Sequence, residues 1–253
     1  MCATIDLYPM EATEMPNFYS HQVFGKLVWD ELPEETRAAL ASDQPGFQLG
    51  LYGPDPLFFY HPLWPNRLCR EGHLLHRQTP GVVLERYRSS DAVHTPYARG
   101  YAAGYLCHYV LDAACHPYVL AKSGGNSLRH LMLEGAFDRM LSDSQLPVFP
   151  VRIPELHDVA AAAAIGYQNG QPKQLELASR RFSQIIGMTR ALRRVTPAHK
   201  TRRLKSVRLR KQLLDAVDNA VALTTQLVNA LQSGQSLDFL PQTDFSGRPV
   251  AAH

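Results

Sequence analysis

Apolar residues recur at helical spacing along most of the chain, and no segment shows the strict alternation of a half-buried strand. Between Asn17 and Leu40 the pattern is carried by Phe18, Val23, Phe24, Leu27 and Val28. Pro33-Glu34-Glu35 then reads as the first turn of a second helix, with proline at the start and acids at the positive dipole end. Residues 41–66 are rich in glycine, proline and aromatics, with four prolines between Pro54 and Pro65, and predict a loop. Helical spacing resumes over 70–88 and over 97–116, where Pro117 predicts a helix end at His116. Gly124-Gly125-Asn126 predicts a turn into a helix over about 127–141, and Pro147 to Pro154 a second break. From 155 to 232 the pattern is again helical: an alanine run, an amphipathic stretch near 173–195 and a helix over about 206–232. Residues 1–15 and 233–253 lack periodicity and read as tails. The expectation is one all-α domain over 16–232, a multi-helix bundle without internal repeat.

Composition alters this picture little, except in one respect. At 253 residues, 45% hydrophobic and 19% charged, the chain can bury its own core. The four cysteines (Cys2, Cys69, Cys107, Cys115) have neither CxxC spacing nor the density of a disulfide framework, and packing is the expected role of Cys107 and Cys115. No N-terminal leader pattern and no membrane-spanning apolar run is present, so a cytoplasmic protein is expected. Histidine is the outlier: eight of the 11 lie between His21 and His130.

The sharpest chemical signal is His108-x3-Asp112-x3-His116. Four residues advance a helix by about 6 Å and 400°, which sets these three side chains near one face. Their neighbours (Gly104, Leu106, Val110, Leu111, Ala113) are apolar, and a buried carboxylate between imidazoles is costly unless paired or bound to a cation. A hydrogen-bonded His/Asp pair in a core is the competing explanation. His130-x3-Glu134 repeats the spacing on the next helix, and two such helices suggest a multi-metal site within a bundle. Asp55 between two prolines, His21, His61, His73 and His76 are further candidates. His157-Asp158 is the one trace of an HD-type phosphohydrolase and lies outside this cluster.

Taken together these stretches resemble the zinc-dependent phospholipase C family, related to the P1-type nucleases. The resemblance rests on Phe18-Tyr19-Ser20-His21, Gly53-Pro54-Asp55-Pro56-Leu57-Phe58-Phe59-Tyr60, Gly72-x3-His76, Gly104-Tyr105-Leu106-Cys107-His108-x3-Asp112-x3-His116-Pro117 and His130-x3-Glu134, in family order over 16–140. It implies an all-α bundle of the phospholipase C / P1 nuclease type holding two or three zinc ions. Asp55, His76, His108 and Asp112 would form the first site; His116, His130 and Glu134 the second; His21 and Asp112 the third. His76 is preferred to His73 for its spacing from Gly72. Two features depart from the family: secreted members use a processed N-terminus as a zinc ligand, and their interval between the residues matching Asp112 and His116 is longer.

The implied activity is phosphoester hydrolysis by metal-activated water on phospholipid head groups, with Asp55 as ligand and general base and Asp112 as bridge. A nuclease or phosphomonoesterase using the same zinc cluster, or a non-catalytic metal-stabilised binding protein, are the alternatives. Phe58, Phe59, Tyr60 and Trp64 suggest either an apolar substrate wall or core packing. Between Arg180 and Lys211 there are 12 basic residues and no acidic one. That 180–211 segment suggests contact with an anionic membrane surface or, less strongly, with nucleic acid, against the plainer reading of a solvated basic face.

Overall fold

The computed structural model describes residues 18–89, 94–149, 153, 155–193 and 200–251. The element order is α1 (Phe18–Glu31), α2 (Glu34–Leu40), a 3-10 turn (Ala41–Asp43), α3 (Gln44–Gly50), a second 3-10 turn (Asp55–Phe59), α4 (Arg67–Leu75), α5 (Gly81–Arg88) and α6 (Ala98–Ser123). There follow α7 (Ser127–Asp143), α8 (Leu156–Ala164), α9 (Pro172–Arg193), α10 (Lys200–Asp215) and α11 (Val217–Ser233). Among the described residues an isolated bridge between Thr243 and Pro249 is the one trace of sheet. The chain is all-α, and none of its described helices is long and apolar enough to cross a membrane.

Helix α6 is the axis. It is buried on every side from Gly100 to Asp112, as the small and apolar residues around His108 demand, and α1, α3, α7, α8, α10 and α11 pack around it. Its closest neighbour is α3, a helix inside the 41–66 stretch expected to be a loop. The reason lies in paired glycines four residues apart on each element. A Cβ on Gly46 would stand 2.1 Å from the Tyr97 carbonyl oxygen, and one on Gly50 2.3 Å from that of Tyr101. On the facing side, a Cβ on Gly100 would stand 2.0 Å from the Asp43 oxygen, and one on Gly104 2.2 Å from that of Phe47. Backbone lies on backbone here; Pro45 sits in the first turn of α3, where no intrahelical N–H bond is required, and the other prolines of the segment fall in the turns that follow.

Several expected boundaries shift. Helix α6 runs through Pro117 to Ser123 instead of ending at His116. Proline lacks the N–H that the Ala113 carbonyl would accept, but Cys115, Val119 and Ser123 continue the inward face, and that burial keeps the segment helical. The 70–88 helix is split into α4 and α5 around Pro80, and the 206–232 helix breaks at Ala216 into α10 and α11. The residues expected to be a loose C-terminal tail fold back on the bundle. Leu237, Leu240 and Phe245 are buried, and the Phe245 amide donates to the His76 carbonyl at 3.2 Å. The N-terminal tail expectation for 1–15 lies outside the described residues, as do most side chains of the basic segment, those of 189–205.

Candidate metal centre

Helix α6 presents His108, Asp112 and His116 on one face, as their spacing requires, with His108 and Asp112 buried. Asp112 is the hub. Its Oδ1 lies 3.3 Å from His21 Nε2 on α1, and its Oδ2 lies 3.3 Å from His108 Nε2 and 3.6 Å from His116 Nδ1. Burial pushes the Asp112 carboxyl up, but His116, His108 and His21 around it outweigh burial and hold it well below the usual carboxylate range. A second focus joins His108 to Asp55, at the start of the 3-10 turn, and to His76, the C-cap of α4; His76 Nε2 lies 3.2 Å from Asp55 Oδ1. The third focus lies between α6 and α7, with Glu134 Oε1 3.4 Å from His116 Nε2 and 2.8 Å from His130 Nε2. Burial raises the Glu134 carboxyl, and hydrogen bonds from His116 and His130 bring it below its ordinary value.

Three of the imidazoles are oriented by backbone carbonyls. His108 Nδ1 donates to the Leu51 oxygen at 3.2 Å, His76 Nδ1 to Gly72 at 2.8 Å and His116 Nδ1 to Phe245 at 3.2 Å. Each bond fixes the tautomer and turns Nε2 towards a carboxylate, the arrangement that prepares a histidine to ligate metal. Leu51 follows directly on α3, so the glycine contact between α3 and α6 also aims the His108 ring.

The donor set fits zinc. His21, His108 and Asp112, then Asp55, His76 and His108, then His116, His130 and Glu134 each place one ligand atom per residue within 4.8 Å of the others. Tetrahedral N and O donors at about 2.1 Å from zinc stand about 3.4 Å apart, longer than a hydrogen bond. The separations of Asp112 from His21 and His108, and of His76 from Asp55, 3.2–3.3 Å, match that edge. Moreover His108 Nε2, Asp55 Oδ2, Glu134 Oε2 and His21 Nδ1 are buried without a hydrogen-bond partner of proper geometry. Polar atoms in protein interiors are seldom left so, and four at one locus are suited to a cation.

All eight residues singled out for this chemistry therefore converge: His21, Asp55, His76, His108, Asp112, His116, His130 and Glu134. His73, one turn before His76, faces outward with its ring 4.6 Å from Phe58. Phe58 stacks 5.6 Å from His76, behind the site, and Phe59 packs on Phe182 in the core. Trp64 belongs to no wall, being 73% exposed, because the prolines beside it carry the loop off the surface. Cys107 and Cys115 are core thiols. Burial pushes Cys107 up to about 12 against a contact with Thr224, and burial with Asp112 and Glu134 nearby pushes Cys115 higher still. His157 is exposed and pairs with Glu176 at 2.8 Å, away from the cluster.

Three residues have supporting roles that the sequence pattern did not reveal, although Gly53 belongs to one of the matched stretches. Asp138 is fully buried on α7 and accepts from the Tyr19 and Ser20 amides at 3.2 and 3.0 Å. It thereby caps the helix that carries His21, and its position four residues after Glu134 was an available signal. Gly53 (φ +49) lies against the His108 ring, and its carbonyl accepts from the Tyr101 and Tyr167 hydroxyls at 3.2 and 3.0 Å. Phe245 covers His76 and His108 at ring separations of 5.1 and 5.7 Å, and nothing in its local sequence announced this.

Comparison with curated proteins and with solved structures gives no match. A family model described as zinc dependent phospholipase C matches residues 20–188, an interval that includes every residue of the three foci. On that match, which spans well over half of the chain, the protein belongs to the zinc dependent phospholipase C family.

Proposed function

We propose that this chain is a phospholipase C-like phosphodiesterase acting on phospholipid head groups. Its family makes it a zinc-dependent phosphoester hydrolase. The observation that supports metal-dependent hydrolysis is the convergence of histidines from different elements on the two carboxylate oxygens of Asp112, and the phospholipid substrate is inferred from the family. Asp55, His76, His108 and Asp112 would hold one ion; His116, His130 and Glu134 a second; His21 with Asp112 a third. Bound zinc supplies Lewis acidity, lowering the pKa of water towards neutrality and offsetting phosphoryl charge.

The protein's own groups then have distinct tasks. Asp55 Oδ2, buried and without a hydrogen-bond partner, would accept one proton of the attacking water as the water oxygen bonds to phosphorus and the phosphorus–oxygen ester bond breaks, the departing alcohol oxygen taking a proton from solvent. His76 and His116 have the most exposed side chains of the centre, at 12% and 16%, so the phosphodiester approaches across them. Phe58 and Phe245 pack on the His76 ring and form the apolar side of the centre, which limits access of bulk water. The test is a substrate panel with the zinc-loaded enzyme: a chromogenic phosphocholine ester, a phosphomonoester and single-stranded nucleic acid. Turnover of the phosphocholine ester above the other two is expected, and preferential cleavage of nucleic acid would overturn the assignment.

A further inference from the structure

The chain between Asp55 and His76 carries a surface that the metal centre does not use. After the 3-10 turn it passes through His61-Pro62-Leu63-Trp64-Pro65, where Leu63 and Trp64 are 82% and 73% exposed. Their exposure is imposed by the backbone. The Trp64 amide donates to the His61 carbonyl at 3.1 Å, closing a turn. Asn66 donates from Nδ2 to the carbonyls of His61 and Trp64 at 3.3 and 3.0 Å, and its Oδ1 caps α4 through the Cys69 amide at 2.9 Å. At the other end Arg181 donates to the Tyr60 carbonyl. A rigid turn thus holds a tryptophan and a leucine in solvent beside two prolines.

The helix that follows supplies the charge. Arg67, Arg70 and Leu74 share the outer face of α4, with Arg77 just beyond, and all four are exposed. The single acid between 60 and 80 is Glu71, which is buried and accepts from the Gln168 and Asn169 amides at 2.6 and 2.9 Å. Arg67 and Arg70 therefore make the outer face cationic as well as apolar. His73, on the same face, touches Phe58, which in turn stacks on His76, so two ring contacts separate this surface from the metal centre.

We propose that Leu63, Trp64 and Leu74 with Arg67, Arg70 and Arg77 form a docking surface for an anionic phospholipid bilayer. Tryptophan favours the bilayer interface, where its ring is buried and its N–H remains wet, and arginines beside it meet anionic head groups. The inference rests on the phospholipid reading of the metal centre for the nature of the surface, though not for the patch itself. Docking there places the 3-10 turn of Asp55 and the end of α4 at His76 next to the head groups.

Tryptophan emission reads this directly, because the chain has two tryptophans and Trp29 is 7% exposed within the core. The full-length chain is titrated with vesicles of phosphatidylcholine alone and with added phosphatidylserine, following emission and cosedimentation. Anionic vesicles should shift the emission to shorter wavelength and carry the protein down. Leu63→Ala and Trp64→Ala should each weaken partitioning about tenfold. Arg67→Gln and Arg70→Gln should each weaken it about fivefold on anionic vesicles and little on neutral ones. Hydrolysis of the soluble phosphocholine ester should be unchanged in all four variants. Full vesicle binding by Trp64→Ala, or no emission shift in the parent chain, would overturn the proposal. So would a shift produced by raising protein concentration alone, which would assign the patch to a second copy. Vesicle binding without hydrolysis of any phosphoester would contradict the enzymatic reading and leave the docking surface standing.

Discussion

Replacing Gly53 by alanine tests how the centre is aimed without touching a ligand. A Cβ at that position would lie 2.3 Å from His108 Cδ2, 2.7 Å from Cγ and 2.8 Å from Nε2. Carbon–carbon contacts settle at about 3.5–4.0 Å, so ring or loop must yield by more than about 1 Å. The loop is held, since the Gly53 carbonyl accepts from two buried tyrosine hydroxyls, and the ring is the part that moves. Zinc ligation tolerates about 0.2 Å of error, so both groups that share His108 should fail while His116, His130 and Glu134 keep theirs. Alanine also suffers at φ +49, by about 1–2 kcal/mol. Gly124→Ala is the matched control: its φ is +59, and a Cβ there would meet nothing within 4 Å. With chelator present, Gly124→Ala should lose about 1–2 kcal/mol, and Gly53→Ala a further 1–3 kcal/mol or so from overpacking. In zinc, elemental analysis should find the Gly53→Ala chain depleted to the His116 group, with turnover down about 100-fold or more, and Gly124→Ala fully loaded. Equal zinc content and turnover in the two variants would refute the reasoning.

Asp112→Asn should lower both zinc content and turnover, because all three histidines facing that carboxylate lose their anion; wild-type values for both would show that Asp112 is not the hub. Asp138→Ala should cost about 1–2 kcal/mol in denaturant unfolding through loss of the α1 cap, with zinc lost first from the group that contains His21. Acidification should release zinc, since protons compete with the metal for the same imidazole nitrogens. Asp112 and Glu134, held below the ordinary carboxylate range, keep their charge while the imidazoles are protonated, so zinc content that stayed constant until those carboxylates lost their charge would contradict ligation by imidazole.

The sequence was most informative where chemistry and helical periodicity coincide. The fourfold spacings of His108, Asp112 and His116, and of His130 and Glu134, define faces that the bundle turns inward. The 41–66 stretch was opaque because Gly46 and Gly50 serve as helix-packing residues against Gly100 and Gly104, a role visible only once both helices are placed. Pro117 misled because local backbone preference yields to the burial of Cys115, Val119 and Ser123. Phe245 is reached by a long-range return of the chain, with no periodic pattern around it to mark it as part of the centre.

The most direct measurement is zinc per chain, taken by elemental analysis of protein purified without chelator and paired with turnover of the phosphocholine ester before and after chelation. Two or three zinc ions per chain, with turnover lost on chelation and regained on adding zinc, is the expected result. A chain that holds no zinc after reconstitution would show that these histidines and carboxylates pair only with one another, and the metal centre would have to be abandoned.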